Sequence, residues 1–262
     1  MRSVRRLGGV VLALAVLLGC SKEESSTGPS TSANYFPLKV GNWWVYSRVE
    51  LDTNGNVVAG TETRDSMVIV RQTQLGGKTA FVAVTYSGGS MSGDTTYMST
   101  EGGKLYIYVQ PSPQPDSPFE LLSGWVVWID PTQAQWTSAQ VRDTLENVEL
   151  FDQRGSLRLQ VTLQGSRGGA ASVTITEKNQ TVQAQEFVNT FRLEGTFVPE
   201  GQQISIPVQA TFTFRQWFAA DIGQVKSRNE PWTVTVQPPP PLPPVQQKTG
   251  GEQSVLVNYR VQ

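Results

Sequence analysis

The sequence contains no histidine and only one cysteine among its 262 residues. Histidine is the most common general base and metal ligand, and many catalytic nucleophiles depend on it for activation. A single cysteine excludes an intramolecular disulfide and the familiar cysteine-rich zinc sites. We therefore expect no catalytic residue, no metal site and no cofactor, and we expect that the protein is not an enzyme.

An excess of positive charge is also missing. The chain has 21 Lys and Arg residues against 22 Asp and Glu residues, a net charge of −1. Without Arg2, Arg5 and Arg6 at the amino terminus, 18 basic residues face 22 acidic ones, a net charge of −4. Proteins that bind nucleic acid are usually basic on at least one face, so we expect no nucleic-acid partner.

The amino terminus has the three parts of a bacterial export signal. The three arginines precede an apolar stretch, residues 7–18, which is too short to span a bilayer as a helix. The stretch ends in the sequence LLGC, residues 17–20, which resembles the lipobox of bacterial lipoproteins. An ordinary secretory signal with a chance cysteine is the alternative interpretation.

The lipobox resemblance implies a lipid anchor. In lipoproteins of this kind the signal is removed before the cysteine, here Cys20, whose thiol receives a diacylglycerol and whose amino group receives an acyl chain such as palmitate. Several acyl chains together hold a protein stably on a membrane. The next residue is Ser21 and not aspartate, which by the same resemblance implies transfer to the outer membrane.

The remainder of the chain divides into a tether and one domain. Residues 20–34 would hold the lipidated Cys20 and a flexible serine-rich tether, because they are small, polar and without apolar periodicity. Residues 35–262 alternate apolar and polar positions, with Gly, Asn and Pro between the alternating stretches. We predict an all-β domain with an antiparallel, strongly curved sheet, either barrel-like or a sandwich.

Two segments of this domain are ambiguous or interrupted. Residues 132–151 could form one short helix or a further strand, since Val141, Leu145 and Val148 have helical spacing while the second half alternates. Residues 237–253 contain a proline run, which cannot join a strand ladder. We predict a long exposed loop there, at the end of the last hairpin.

Adjacent aromatic residues are the candidate binding residues. Trp43 and Trp44 must point to opposite faces of a strand, and Trp217 stands beside Phe218. We expect Trp43 and Trp44 to be largely buried, one on each side of the sheet. These four side chains could be core residues, or they could line an apolar cavity or platform for a ligand, and we name them as the predicted ligand-binding residues.

Three stretches of the domain resemble one group of uncharacterised bacterial lipoproteins and exported β-rich proteins. They are YFPLKVGNWWVY at residues 35–46, VQAQEFVNTFRLEG at residues 182–195 and RQWFAADIGQVKSRNE at residues 215–230. The first is similar to a YFPLKxGNxWxY start and the third to a WFAxxIGxVK signature. The resemblance implies export and a β-rich fold, and it carries no activity to this chain.

These observations predict a lipoprotein of the cell envelope that is anchored in the outer membrane and faces the periplasm or the surface. We expect a non-catalytic binding or scaffold role, with an envelope protein or a lipid as partner. The alternative is a carrier or sensor of an apolar ligand, such as a lipid, in a cavity of the curved sheet. An envelope hydrolase is a weaker third possibility.

Overall fold

The computed structural model describes residues 33–110, 122–150 and 153–262. They belong to one compact unit that spans Thr31–Gln262. The predicted signal peptide, Cys20 and most of the tether lie outside the described residues. Within the described part, no helix is long and apolar enough to cross a lipid bilayer.

The described part includes fourteen β-strands and the short 3-10 helix Thr176–Lys178. The strands are β1 (Trp43–Leu51), β2 (Thr63–Leu75), β3 (Lys78–Ser87), β4 (Ser90–Glu101), β5 (Lys104–Val109), β6 (Gly124–Ile129), β7 (Gln135–Leu150), β8 (Gln153–Ile175), β9 (Gln180–Pro199), β10 (Ile206–Ala219), β11 (Gly223–Asn229), β12 (Trp232–Val236), β13 (Val245–Thr249) and β14 (Gly251–Arg260).

These strands join in one antiparallel sheet. Its order is β6-β5-β4-β3-β2-β1-β14-β11-β10-β9-β8-β7, and β12 and β13 are added beside β10. The two ends of this order meet, because the Ser138 hydroxyl of β7 donates to the Val127 carbonyl of β6. The prediction of an all-β fold with a curved antiparallel sheet is confirmed, and the sheet is nearly closed and barrel-like.

The helical alternative for residues 132–151 is wrong, since Gln135–Leu150 forms β7. The apparent helical spacing has a simple cause. Val141 and Leu145 are an even number of residues apart and share a face, while a bulge between Leu145 and Val148 shifts the register. Asn147 takes a positive φ of 61° within this bulge. The extra residue brings Val148 back to the inner face and imitates a helical period.

The predicted loop over residues 237–253 is wrong in extent. Val245–Thr249 forms β13, which pairs with β12, and β14 begins at Gly251. The proline run therefore occupies only the connection between β12 and β13. The expected last hairpin is also wrong, because β14 pairs with β1 and β11 and not with β12.

The inner face of the sheet carries two hydrophobic clusters. The first cluster includes Trp44, Ile69, Phe187, Phe218 and Leu256. The second cluster includes Val161, Leu163, Phe191, Leu193 and Phe197. Both consist of residues from position 33 onward, so the unit Thr31–Gln262 has its own core and is expected to fold by itself.

The last residue of the predicted tether is already attached to the domain. The Asn34 carbonyl accepts a hydrogen bond from the Asp221 amide at 2.7 Å, and its side-chain oxygen accepts one from the Phe36 amide at 3.2 Å. Two hydrogen bonds fix Asn34 and direct the following aromatic residues into the first cluster.

Candidate ligand cavity

A cavity of about 240 Å³ lies on the inner face of the sheet. It is bordered by residues 35–38, which we call the N-terminal segment, and by seven strands, β1, β2, β4, β5, β6, β10 and β11. Its walls are formed by Tyr35, Phe36, Pro37, Leu38, Trp44, Met67, Thr96, Met98, Leu105, Ile107, Trp128, Gln216, Phe218, Gly223 and Gln224. Most of these side chains are apolar, and none of them carries a charge.

The N-terminal segment is held in place by a buried asparagine. Asn42 is 0% exposed, and its side-chain nitrogen donates to the Pro37 carbonyl at 2.7 Å. Its side-chain oxygen accepts a hydrogen bond from the Gln262 amide at 3.0 Å. One side chain therefore joins the N-terminal segment, the start of β1 and the end of the chain.

Trp44 connects β1 to the turn between β10 and β11. Its indole nitrogen donates to the Ile222 carbonyl at 2.6 Å, across the turn between β10 and β11. Gly223 follows with a positive φ of 99°, and a Cβ there would lie 3.3 Å from the same indole nitrogen. Glycine is favoured at this position by its backbone conformation and by the close indole.

Aromatic rings form one wall of the cavity. Phe36 packs edge-to-face on Phe218 with ring centroids 5.3 Å apart. Phe187 lies behind them, 6.0 Å from Phe218 and 5.8 Å from Tyr35. Such edge contacts add to the burial of the rings and hold their orientation. These contacts therefore fix the shape of the wall.

Two glutamine side chains form the polar part of the lining. The Trp128 indole nitrogen donates to the Gln216 side-chain oxygen at 2.6 Å, and the Gln216 nitrogen donates to the Gln224 side-chain oxygen at 2.8 Å. The chain of hydrogen bonds runs from β6 to β11 across the interior. A mostly apolar cavity with a few fixed polar groups is the usual composition of a small-molecule site.

The predicted ligand-binding residues separate into two pairs. Trp44 and Phe218 are buried and line the cavity. Trp43 and Trp217 are half-buried and are not among its lining residues. Trp217 instead lies under the Lys226 ammonium, 4.7 Å from the ring centroid. Trp44 is fully buried, and Trp43 is partly buried on the other face of β1. The binding role of all four residues stays a prediction.

Charged side chains form a network away from this cavity. Arg215 contacts Glu186 at 3.0 Å and Glu230 at 3.1 Å, and Arg228 contacts Glu230 at 2.9 Å. Arg215 alternates with Phe214 and Gln216 on β10 and so points to the other face. In the described ranges, no group of three or more His, Cys, Asp or Glu residues could hold a metal ion.

Tyr46 is expected to make the stability of the domain depend on pH. The side chain is buried, its hydroxyl donates to the Gln224 carbonyl at 3.1 Å, and burial raises its pKa. A raised folded-state pKa means that the stabilisation is complete below the unfolded value of about 10 and is lost as the pH rises above it.

We therefore expect the free energy of unfolding to fall above pH 10, by up to about 1.4 kcal/mol per pH unit for this residue. Denaturant unfolding followed by circular dichroism between pH 9 and pH 11.5 measures this fall. Tyr46→Phe should have a shallower slope than the natural chain. Equal slopes for the two proteins would show that Tyr46 is not the source.

Sequence reasoning did not identify Met67, Met98, Gln216 and Gln224 as cavity residues. They lie on β2, β4, β10 and β11, and each alternates with its neighbours as any strand residue does. No local pattern distinguishes them. Gln216 and Gln224 are polar residues near apolar ones, and the pairing of β10 with β11 brings them together.

No protein-family model matches the chain, and no curated protein matches it. Two crystal structures are similar to it. One is a candidate lipoprotein of Parabacteroides distasonis, with a TM-score of 0.44 and 10% identity, covering 87% of this chain and 99% of that chain. The other is a candidate exported protein of Bacteroides fragilis with a YmcC-like fold, with a TM-score of 0.35, 9% identity and the same coverage. TM-scores below 0.5 do not establish a common fold, so the fold described above depends on this chain's own strand order.

Proposed function

We propose that this chain is a lipoprotein of the cell envelope that binds an apolar ligand, such as the acyl chain of a lipid, on the inner face of its sheet. The protein would be anchored in the outer membrane through Cys20 and would act by binding, without catalysing a reaction. Its partners would be the membrane and a lipid.

The observation that supports this proposal is the cavity beside Trp44 and Phe218. Its volume of about 240 Å³ is a little below the usual range of about 300–1,000 Å³ for ligand pockets, so it suits one apolar chain and not a whole phospholipid. Met67 and Met98 contribute flexible, polarisable side chains, which adapt to ligands of varied shape.

The experiment is a titration of the unit Thr31–Gln262 with N-phenyl-1-naphthylamine, a neutral dye whose fluorescence rises in apolar surroundings. Thr96 lines the cavity, and Thr95 precedes it on β4. We expect Thr96→Phe to weaken dye binding by about tenfold or more, because the new ring would fill the space that the dye needs.

Thr95→Phe is the matched control, since the same substitution on the same strand points to the opposite face. We expect its dye affinity to stay within about twofold of the natural unit, and circular dichroism checks that both variants are folded. Equal weakening by both variants would place the dye elsewhere. If the natural unit does not bind the dye, the proposed function is wrong.

A scaffold role with a protein partner is the second candidate, and one observation favours it. β13 pairs only with β12 among the described strands, and the connection before it exposes Leu242, 62% accessible. An unpaired strand edge can accept a strand from another chain. If the natural unit binds no dye, crosslinking from residues of β13 in intact cells becomes the measurement to make.

A further inference from the structure

The cavity contains no charge that could meet a charged ligand. Each of its fifteen lining residues is apolar or neutral and polar. A carboxylate or phosphate inside it would lose its hydration without gaining an ion pair, which is strongly unfavourable. The ligand group that enters the cavity must therefore be neutral.

The hydrogen-bond chain in the lining fixes the orientation of both glutamine amides. The Trp128 indole nitrogen can only donate, so it orients the Gln216 amide with its oxygen toward the indole. The Gln216 nitrogen must then donate, and it orients the Gln224 oxygen in the same way. The Gln224 side-chain nitrogen is left at the end of the chain, and no described residue accepts a hydrogen bond from it.

A second donor lies in the same lining. The Tyr35 hydroxyl is buried and has no hydrogen-bond partner among the described residues. Burial raises its pKa, although the nearby Arg167 lowers it in part, so the hydroxyl keeps its proton at neutral pH. Gln224 and Tyr35 thus each have a donor without a described partner, and the side-chain oxygen of each glutamine already accepts one hydrogen bond.

We infer that the cavity selects an acyl chain whose head is an uncharged carbonyl, an ester or an amide, and rejects the free fatty acid in its ionised form. The inference rests on the proposed function, since it names the ligand class of the same cavity. The carbonyl oxygen accepts from Gln224, and the alkyl chain lies against Met67, Met98 and Ile107. A carbonyl supplies an acceptor for the Gln224 N–H, and it brings no charge that the lining cannot balance.

An ester of this chemistry has two possible sources. One is a free acylglycerol of the membrane, and the other is the diacylglyceryl group predicted on Cys20 of the same chain. Residues 20–34 could extend over at most about 50 Å, and the described chain runs from Asn34 directly into the cavity wall at Tyr35. Dye binding to the lipidated full chain and to its Cys20→Ser variant distinguishes the two sources. If the chain's own anchor occupies the cavity, the lipidated chain binds the dye more weakly than the variant does. If the ligand is a free acylglycerol, both bind the dye equally.

The test compares methyl decanoate with decanoate. The two ligands have the same alkyl chain, but the first ends in a neutral ester and the second in an ionised carboxylate. Each displaces N-phenyl-1-naphthylamine from the unit Thr31–Gln262 at pH 8. We expect the ester to bind at least about tenfold more tightly. Because only the neutral acid enters, the affinity for decanoate should rise about tenfold for each unit of pH lowered toward its carboxyl pKa of about 4–5, while that of the ester stays constant.

Two lysine variants test whether the lack of charge in the lining causes the selection. Gln224→Lys supplies a cation at the end of the hydrogen-bond chain, and we expect it to bind decanoate at least about tenfold more tightly than the natural unit does. Thr96→Lys supplies the same charge from β4, and it keeps the test valid if the first variant unfolds. Gln224→Leu removes the donor, and we expect it to weaken the binding of methyl decanoate relative to the natural unit.

The outcomes separate the two proposals. If decanoate at pH 8 binds as tightly as the ester, or if its affinity does not change with pH, the selection of a neutral carbonyl is wrong while the apolar cavity still binds ligands. If neither compound nor the dye binds, the proposed function fails as well. If the lysine variants do not favour decanoate, the neutral lining is not the cause of the selection.

Discussion

Replacing Trp44 with alanine is expected to lower the free energy of unfolding by about 3–5 kcal/mol, because a large buried aromatic side chain is lost and a hole is left in the first cluster. Trp44 is 2% exposed, and its indole nitrogen holds the Ile222 carbonyl. The substitution would leave that carbonyl without its partner in a buried turn, which adds to the loss.

Trp43→Ala is the matched control, since it removes the same side chain from the adjacent position on the other face of β1. Trp43 is only half-buried, so we expect a loss of about 1 kcal/mol. Denaturant unfolding of the unit Thr31–Gln262, followed by circular dichroism, gives both values. If the two variants lose the same stability, Trp44 is not the inner residue of the pair.

Two asparagines that are both 0% exposed are expected to respond in opposite directions to the same substitution. Asn42→Leu removes the bonds to the Pro37 carbonyl and the Gln262 amide, so the buried Pro37 carbonyl loses its partner. We expect this variant to lose about 2–4 kcal/mol of unfolding free energy, and to loosen the N-terminal segment that borders the cavity.

Asn189 differs because neither its side-chain nitrogen nor its side-chain oxygen has a partner among the described residues. It lies on β9 between Phe187 and Phe191, with Gly165 and Phe214 as its cross-strand neighbours. Burying an amide without hydrogen bonds is unfavourable, and leucine has a similar volume without that penalty. We expect Asn189→Leu to keep the stability unchanged or raise it by about 1–3 kcal/mol.

The same unfolding measurement decides both cases, and each variant serves as the control for the other. A loss of several kcal/mol in Asn189→Leu would mean that the amide is hydrogen-bonded in solution, for example to an internal water. Similar losses in both variants would contradict the contrast between a bonded and an unbonded buried amide. An unchanged Asn42→Leu would mean that the N-terminal segment is held by its aromatic contacts alone.

The strand content and the antiparallel pairing could be predicted because their signals are local. Alternation of apolar residues within each strand and the glycine pairs between strands act over a few residues. Gly76 and Gly77, for example, have φ values of 53° and 79° in the turn between β2 and β3. Such conformations are easy for glycine and costly for most other residues, so the sequence itself marks the turn.

Long-range pairing limited the prediction where the local signal was weak or misleading. The Val245–Thr249 stretch contains VQQKT, which has no apolar alternation, and it becomes a strand through its pairing with β12. In β7 a bulge imitates a helical period. In both places a contact with another strand decides the backbone conformation, and no property of the segment alone reveals that contact.

The sequence by itself determined the β class, the position of the domain after a polar stretch, and the presence of two tryptophans on opposite faces of one strand. The tertiary structure alone decided which of them faces the cavity, because β1 pairs with both β2 and β14 and the closure of the sheet sets its inner side. It also placed Gln216 and Gln224 beside Trp128, which belongs to a strand about ninety residues earlier in the chain. Alternation fixes that successive side chains point to opposite faces, whereas the choice of inner face depends on how the whole sheet curves.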